Sequence, residues 1–248
     1  MSEASERRRP AAELIAAACE RERAGQSHGE IGATLKKIVE SRRRAVALEY
    51  ARGDVAAERL SGTIEESLGA LFAAGATLHP LAGKKLALVA VGGFGRGLLA
   101  PWSDVDLLFL HEGEAKDVQP LTDFVLYPLW DAGLKVGHAV HTPAGAVKAA
   151  EKDMTARTAW LDSRLLAGDA RIFRDFRQKF DKLRKRTKRP FIAAKEEERA
   201  ARHAKAETGR YLAEPDLKEG KGALRDLHFM RWVHKYAYDA DVADPKAR

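Results

Sequence analysis

A single cysteine, Cys19, among 248 residues excludes a disulfide scaffold, a thiolate zinc site and a CxxC redox pair. Long hydrophobic runs are equally scarce. The longest apolar stretches, Leu86 to Val91 and Leu71 to Leu78, fall far short of the ~20 residues a membrane-spanning helix needs. The N-terminal MSEASERRRP is polar, and Glu13 interrupts the short apolar stretch behind it. No secretory leader is read there, so a cytoplasmic, reduced setting without membrane contact is expected. What is present is 45% hydrophobic and 32% charged, the balance of a helix-rich globular chain. That length can bury a sizeable core, as one large domain or two small ones.

The formal charge of +7 would point to nucleic acid if it lined one exposed face. It does not. Arg171 to Pro190 holds six Arg, four Lys and two Asp, a local +8, which leaves −1 for all other residues. Within this tract Ile172, Phe173, Phe176, Phe180 and Leu183 recur at helical spacing, so an amphipathic helix with a basic face is predicted. A solvated helix face and a docking patch for an acidic partner both fit it. Without exposed aromatics between the cations, specific single-strand binding is disfavoured and no nucleic-acid partner is expected.

Along the chain, residues 10–58 read as two helices broken near Gly25–Gly29. Thr63-x-x-Glu66 has the form of a capping box, and Ile64, Leu68, Leu71 and Phe72 follow at helical spacing, predicting a third helix up to about Ala74. Gly75 to Lys85 reads as a connector. The texture then changes. Leu86 to Val91 (LALVAV) and Val105 to Leu110 (VDLLFL) read as buried strands, joined by the glycine-rich GGFGRGLLAPWSD as a loop or short helix. Leu121 to Leu134 is helical in pattern, with Pro128 expected to kink or break it. Val136 to Thr142 alternates and reads as a third strand. Everything from Ala144 onward reads as helix, apart from a stretch at Gly209 to Gly222 interrupted by Gly and Pro.

The informative segment is Gly92-Gly93 at the end of one strand followed, after ten residues, by Asp104-Val105-Asp106 at the start of the next. Side chains two apart on a strand share a face, so the two carboxylates project together. Adjacent carboxylates repel unless a cation lies between them. Magnesium is the natural one, because it takes hard oxygen ligands and shares its shell with phosphates. The Gly92-Gly93 turn leaves backbone N–H groups open to a phosphate, Arg96 can pair with the same anion, and Ser103 can donate a hydroxyl. Either DxD or a Gly-Gly turn is common by chance. The ordered set is specific, and it describes a nucleoside triphosphate held by metal and loop for in-line attack on phosphorus. It is neither a GxxxxGK[ST] P-loop nor a GxGxxG dinucleotide fingerprint.

The segment resembles the nucleotidyltransferases of the DNA polymerase beta superfamily. More narrowly, VGGFGRGLLAPWSDVDLLFL is similar to the N-terminal catalytic region of the protein-PII uridylyltransferases. The similarity continues through LYPLWDAGLKVGHAVHT, DMTARTAWLDSRLLAGD and FIAAKEEERAARHAKAETGRYLAEPDLKEGKGALRDLHFMRWV, covering roughly residues 86 to 245. The resemblance implies an α/β (α+β) polymerase beta-like core at residues 80–170, an N-terminal helical region at 1–79, and an incomplete helical region at 171–248. It also implies transfer of UMP from UTP to a tyrosine of the signalling protein PII. Asp104 and Asp106 would hold catalytic magnesium, Gly92 and Gly93 the triphosphate, with Arg96 and Ser103 as supporting contacts.

The chain departs from the family pattern in several places. Leu98 stands where an acidic residue is usual, Phe94 for Tyr, His141 for Arg and Ala223 for Gly. Superfamily members commonly use a third carboxylate on a later strand. Val136 to Thr142 holds none, and Asp162 is the nearest substitute, although it falls in a segment that reads as helix and an exposed or capping role fits it too. Family proteins are several times longer and carry an HD-type hydrolase and glutamine-sensing ACT domains. No His-Asp dipeptide occurs here, so uridylyl removal is not assigned to this chain and a fragment is expected.

Remaining residues take plainer roles. His138 reads as a hydrogen-bonded structural histidine or a nucleotide contact. His203 and His228 lack a metal-ligand pattern, Arg225-Asp226 reads as a packing and salt-bridge element, Trp102 and Trp130 as core or pocket-wall aromatics, and Cys19 as a small buried residue. Two competing functions stay open: nucleotidyl transfer to another acceptor, and an inactive fragment that binds nucleotide or a partner.

Overall fold

In the computed structural model, which describes residues 10–25, 29–48, 53–207 and 216–239, β1 (Leu86–Ala90) lies inside a four-stranded sheet of order β3-β2-β1-β4. Strand β2 (Val105–His111) pairs antiparallel with β1, Leu88 opposite Phe109. Strand β3 (Val136–His141) runs parallel to β2, Val105 opposite Val136. Strand β4 (Arg164–Gly168) pairs antiparallel with the other edge of β1. A parallel pair needs a long crossover, and α6 (Ala115–Asp131) supplies it between β2 and β3.

Every residue of β1 is buried, because both faces of the sheet are covered. Leu86, Leu88 and Ala90 face a core shared with α1 (Ala11–Arg23), α2 (Glu30–Leu48), α3 (Gly53–Leu78), α4 (Pro80–Lys84) and α6. The alternate residues Ala87, Val89 and Val91 face a second core. That core is built with α7 (Pro143–Lys152), α8 (Met154–Leu161), α9 (Ala170–Arg186), α10 (Lys188–Glu207) and α11 (Leu224–Tyr238). The period of 2 along β1 thus sorts its side chains between two helical layers, the arrangement of an α/β architecture. Ile172, Phe176, Phe180 and Leu183 bury one side of α9 in the second core, as their spacing predicts.

Four expectations need correction. Thr63 does not cap a helix: α3 already runs from Gly53, and the Thr63 hydroxyl donates to the Arg59 carbonyl one turn back while accepting from Arg42 Nε. A hydroxyl mid-helix bonds back in this way, so the S/T-x-x-E pattern alone misplaces the start. Gly75 does not open a connector but stays helical, where a Cβ would collide with Leu121 and Phe124 of α6. Pro128 does not end α6, which continues to Asp131 with Pro120 also inside it. Burial of Leu121, Val125, Leu126 and Leu129 under the sheet holds the helix despite the lost backbone donors. Finally, the segment after Ala144 is not all helical, because Arg164–Gly168 is the strand β4. The N-terminal residues through Arg9, the first part of the Gly209–Gly222 stretch and the residues after Asp239 lie outside the described residues.

Candidate active site

The end of β1 turns sharply. Gly92 has φ +58°, a conformation that favours glycine, and Gly92–Gly95 forms the single turn α5. Val91 N–H donates to the Asp106 carbonyl at 3.0 Å, which locks the turn beside the start of β2. Asp104 is exposed just before that strand, Val105 between the two carboxylates is buried, and Asp106 is half-buried. A Cβ on Gly92 would sit 3.1 Å from Asp106 Oδ2. On the other side, Gly137 of β3 pairs in register with Asp106, and a Cβ there would run into Oδ1. Two glycines, one in the turn after β1 and one in β3, therefore make room for one carboxylate.

The local field is negative. Burial, and then the neighbouring Asp104, push the Asp106 carboxyl up to about 6, and no cation among the described residues offsets them. This donor set fits magnesium: two hard carboxylates side by side, in need of a positive charge, with room left for phosphate oxygens. Among the described residues no cluster of three or more His, Cys, Asp or Glu is assembled, and magnesium needs none, since it commonly takes one or two carboxylates plus phosphates.

The other predicted residues lie at different distances from this centre. Gly93 is adjacent, and a Cβ on it would stand 3.7 Å from Arg96 Nη2. Arg96 is not free to roam, because its Nη1 donates to Asp162 Oδ2 at 2.8 Å. Ser103 is exposed on the loop leading into β2. Asp162 is neither exposed nor mid-helix: it caps the C-terminus of α8, and its side chain is 1% exposed. Its carboxylate also takes Lys235 Nζ at 2.7 Å, so it is engaged with cations rather than standing beside Asp104 and Asp106 as an unpaired third carboxylate.

Trp102 and Trp130 are not core residues. Trp102 is 79% exposed with the Arg43 guanidinium 4.5 Å over its ring, and Trp130 packs edge-on against Tyr127 and an exposed His138. No side chain among the described residues hydrogen-bonds His138, so its structural reading is replaced by this ring contact. Arg225-Asp226 is a salt-bridge element as read, with Asp226 at its centre.

Two contributors escaped the sequence. Gly137 is one, although a glycine inside a strand is itself a sign of close approach. Arg164 is the other: from β4 its guanidinium donates to the Gly95 and Phe94 carbonyls and to Glu65 of α3, fastening the underside of α5. Gly137→Ala is expected to push Asp106 aside and cut turnover by about 10²-fold, with a smaller loss of stability of ~1–3 kcal/mol. Steady-state rates alongside urea denaturation check this.

The chain has recognisable relatives among known proteins. Residues 77–135, which hold β1, α5 and β2, match a nucleotidyltransferase domain model, and residues 190–247 match a model described as GlnD PII-uridylyltransferase. Similar proteins named bifunctional uridylyltransferase/uridylyl-removing enzyme occur in several bacteria. One from Caulobacter vibrioides is 44% identical over 190 residues, 73% of this chain and 20% of that protein. Another from a Bradyrhizobium strain is 43% identical over 212 residues, 82% of this chain and 23% of its own length. A third, from Ruegeria pomeroyi, is 42% identical over 225 residues, 85% and 24% of the two. The chain therefore spans about a fifth to a quarter of the length of these relatives.

Proposed function

The chain belongs with the bifunctional uridylyltransferase/uridylyl-removing enzymes as a relative of part of their length, and on that premise we propose that it transfers UMP from UTP to a tyrosine of PII. The observation that carries this reading is the Asp104–Asp106 pair set against the Gly92-Gly93 turn, inside the matched nucleotidyltransferase segment. Uridylyl removal is not part of the proposal.

In the proposed reaction the phenolic oxygen of the acceptor tyrosine attacks the α-phosphorus of UTP. The new O–P bond forms as the bond to the β-phosphate oxygen breaks; pyrophosphate leaves and the phenol gives up its proton. Asp104 and Asp106 would hold magnesium, which when bound neutralises the triphosphate and stabilises charge on the reacting oxygens. Gly92 and Gly93 present backbone N–H groups without side chains in the way, so phosphate oxygens can approach closely. Arg96 Nη2, lying beside Gly93, adds a fixed positive charge to the same anion. Ser103, on the exposed loop before Asp104, can add a hydroxyl contact. The chemistry asks for positioning and charge neutralisation, and these residues supply both.

No helix among the described residues is long and apolar enough to cross a membrane. The test is incubation of the chain with PII, α-labelled UTP and magnesium. Label is expected on PII, at tyrosine. Label on another acceptor, or binding of UTP without any transfer while a full-length relative labels PII in parallel, would replace this proposal with one of the two competing readings.

A further inference from the structure

The turn that faces the triphosphate is held from behind by a buried ionic cluster that also grips the distant helix α11. Asp162 sits at its centre with 1% of its side chain exposed. One oxygen accepts from Arg96, which is itself 10% exposed; the other accepts from Lys235 of α11, with Arg231 of the same helix at 4.0 Å. Three cations around one carboxylate leave a surplus of positive charge. His228, one turn earlier on α11, registers it: burial first, and then Arg96, Arg225 and Arg231, lower its imidazole to about 4. The backbone is in contact too, because the Asp162 carbonyl occupies the space a Cβ on Gly95 would take. Two residues further on, Arg164 holds the Phe94 and Gly95 carbonyls.

We propose that Asp162 is a positioning residue: it fixes Arg96 over Gly93 for the triphosphate and, through Lys235 and Arg231, lets helix α11 set the affinity for nucleotide. This rests on the reading of the Gly92-Gly93 turn as the triphosphate site. The physical basis is the shared guanidinium. Arg96 has one nitrogen committed to Asp162 and the other beside Gly93, so the carboxylate decides where the second nitrogen points. A planar fork held by a buried acceptor loses little freedom when an anion arrives. Lys235 and Arg231 engage the other oxygen of the carboxylate that holds Arg96, so a shift of α11 moves that carboxylate and changes how firmly Arg96 is held. Nucleotide binding and the placement of α11 are thereby linked, and the linkage acts in both directions.

The experiment compares the 248-residue chain with Asp162→Asn and Lys235→Met, reading the Kd for UTP with magnesium by calorimetry and, with PII present, KM and kcat separately. Asp162→Asn is expected to weaken UTP binding and raise KM by about tenfold, with kcat changed by less than about threefold. Lys235→Met, which leaves the Asp162–Arg96 pair in place, is expected to alter Kd by about threefold, and the two changes should not multiply in the double variant. A purely structural role would lower the melting temperature and the active fraction, and hence apparent kcat, while leaving Kd and KM where they were. That outcome overturns the proposal, as would multiplicative effects in the double variant. Normal UTP affinities in all variants with intact PII labelling would reject the inference and leave the proposed function standing. Shifted affinities with no labelling of PII would do the reverse, and failure of the unaltered chain to bind UTP would reject both.

Discussion

Asp106→Asn is expected to lower the proposed uridylyl transfer by at least about 10³-fold while making the metal-free protein more stable at neutral pH. The two effects have one cause. Asparagine keeps the shape that fits between Gly92 and Gly137 but lacks the charge that, on the proposed reading, would hold magnesium. In the unligated protein that charge is a burden, since burial and Asp104 raise the carboxyl to about 6. The unfolded value is near ~3.9. Between these values the folded chain keeps a proton that the unfolded chain releases, which favours folding below about pH 4 and loses that advantage as pH rises through about 6. The variant escapes the loss. In EDTA at pH 8 its melting temperature should exceed that of the parent by about 2 °C, a modest figure because solvent still reaches the carboxylate. The difference should vanish near pH 4. Added magnesium should raise the melting temperature of the parent and not of the variant. A variant that retains transfer, or melts lower than the parent at pH 8, would show that Asp106 does not hold the metal.

The second large effect is one of stability and lies in the helical region. Asp226, buried on α11, accepts from Arg199 Nε at 3.1 Å, Arg202 Nη2 at 2.7 Å, His203 Nε2 at 2.9 Å and Gly222 N–H at 2.7 Å. Removing it strands two guanidinium groups against each other on α10. Asp226→Ala should cost about 3 kcal/mol, towards the lower end for a broken buried pair because Arg199 is partly solvated. Burial alone would raise the Asp226 carboxyl, but the hydrogen bonds from Arg202, Gly222, His203 and Arg199 outweigh it and hold the group well below the usual range. A depressed carboxyl contributes stability above its unfolded value and loses it as pH falls through the folded one. The gap between parent and variant in urea denaturation should therefore be flat from pH 5 to 8 and close in strong acid. A gap that persists undiminished in acid would mean that packing, not charge, is what Asp226 provides.

The candidate site was legible where its parts are contiguous. Gly92-Gly93 and Asp104-x-Asp106 lie within fifteen residues, and strand periodicity alone puts both carboxylates on one face. The apolar side of α9 was legible for the same reason, since 3.6-residue spacing is a local signal. What was not legible depends on partners far along the chain. The five residues of β4 offer only Leu165, Leu166 and Ala167 as half-buried apolar side chains between helices, and only pairing with β1, more than seventy residues earlier, makes them a strand. Asp162 reads locally as a residue within a helical segment, exposed or capping; its meaning comes from Arg96 and Lys235, which lie 66 and 73 residues away. Trp102 misleads by composition, because a large aromatic ring is expected in the core or a pocket wall and here is 79% exposed under a guanidinium.

The pairing of β1 with β4 also imposes an order on synthesis. When the ribosome has delivered residue 135, the whole segment matched as a nucleotidyltransferase domain exists, yet one edge of β1 still lacks its partner strand. Gly95 and Phe94 gain their hold only when Arg164 emerges, and the layer over Ala87 and Val89 arrives with α9. Until then the nascent chain carries a wholly apolar strand with one open edge, the kind of edge that recruits other chains. The Gly92–Gly95 turn is thus among the last parts beside this sheet to be secured, although nearly all the residues that define it are made first.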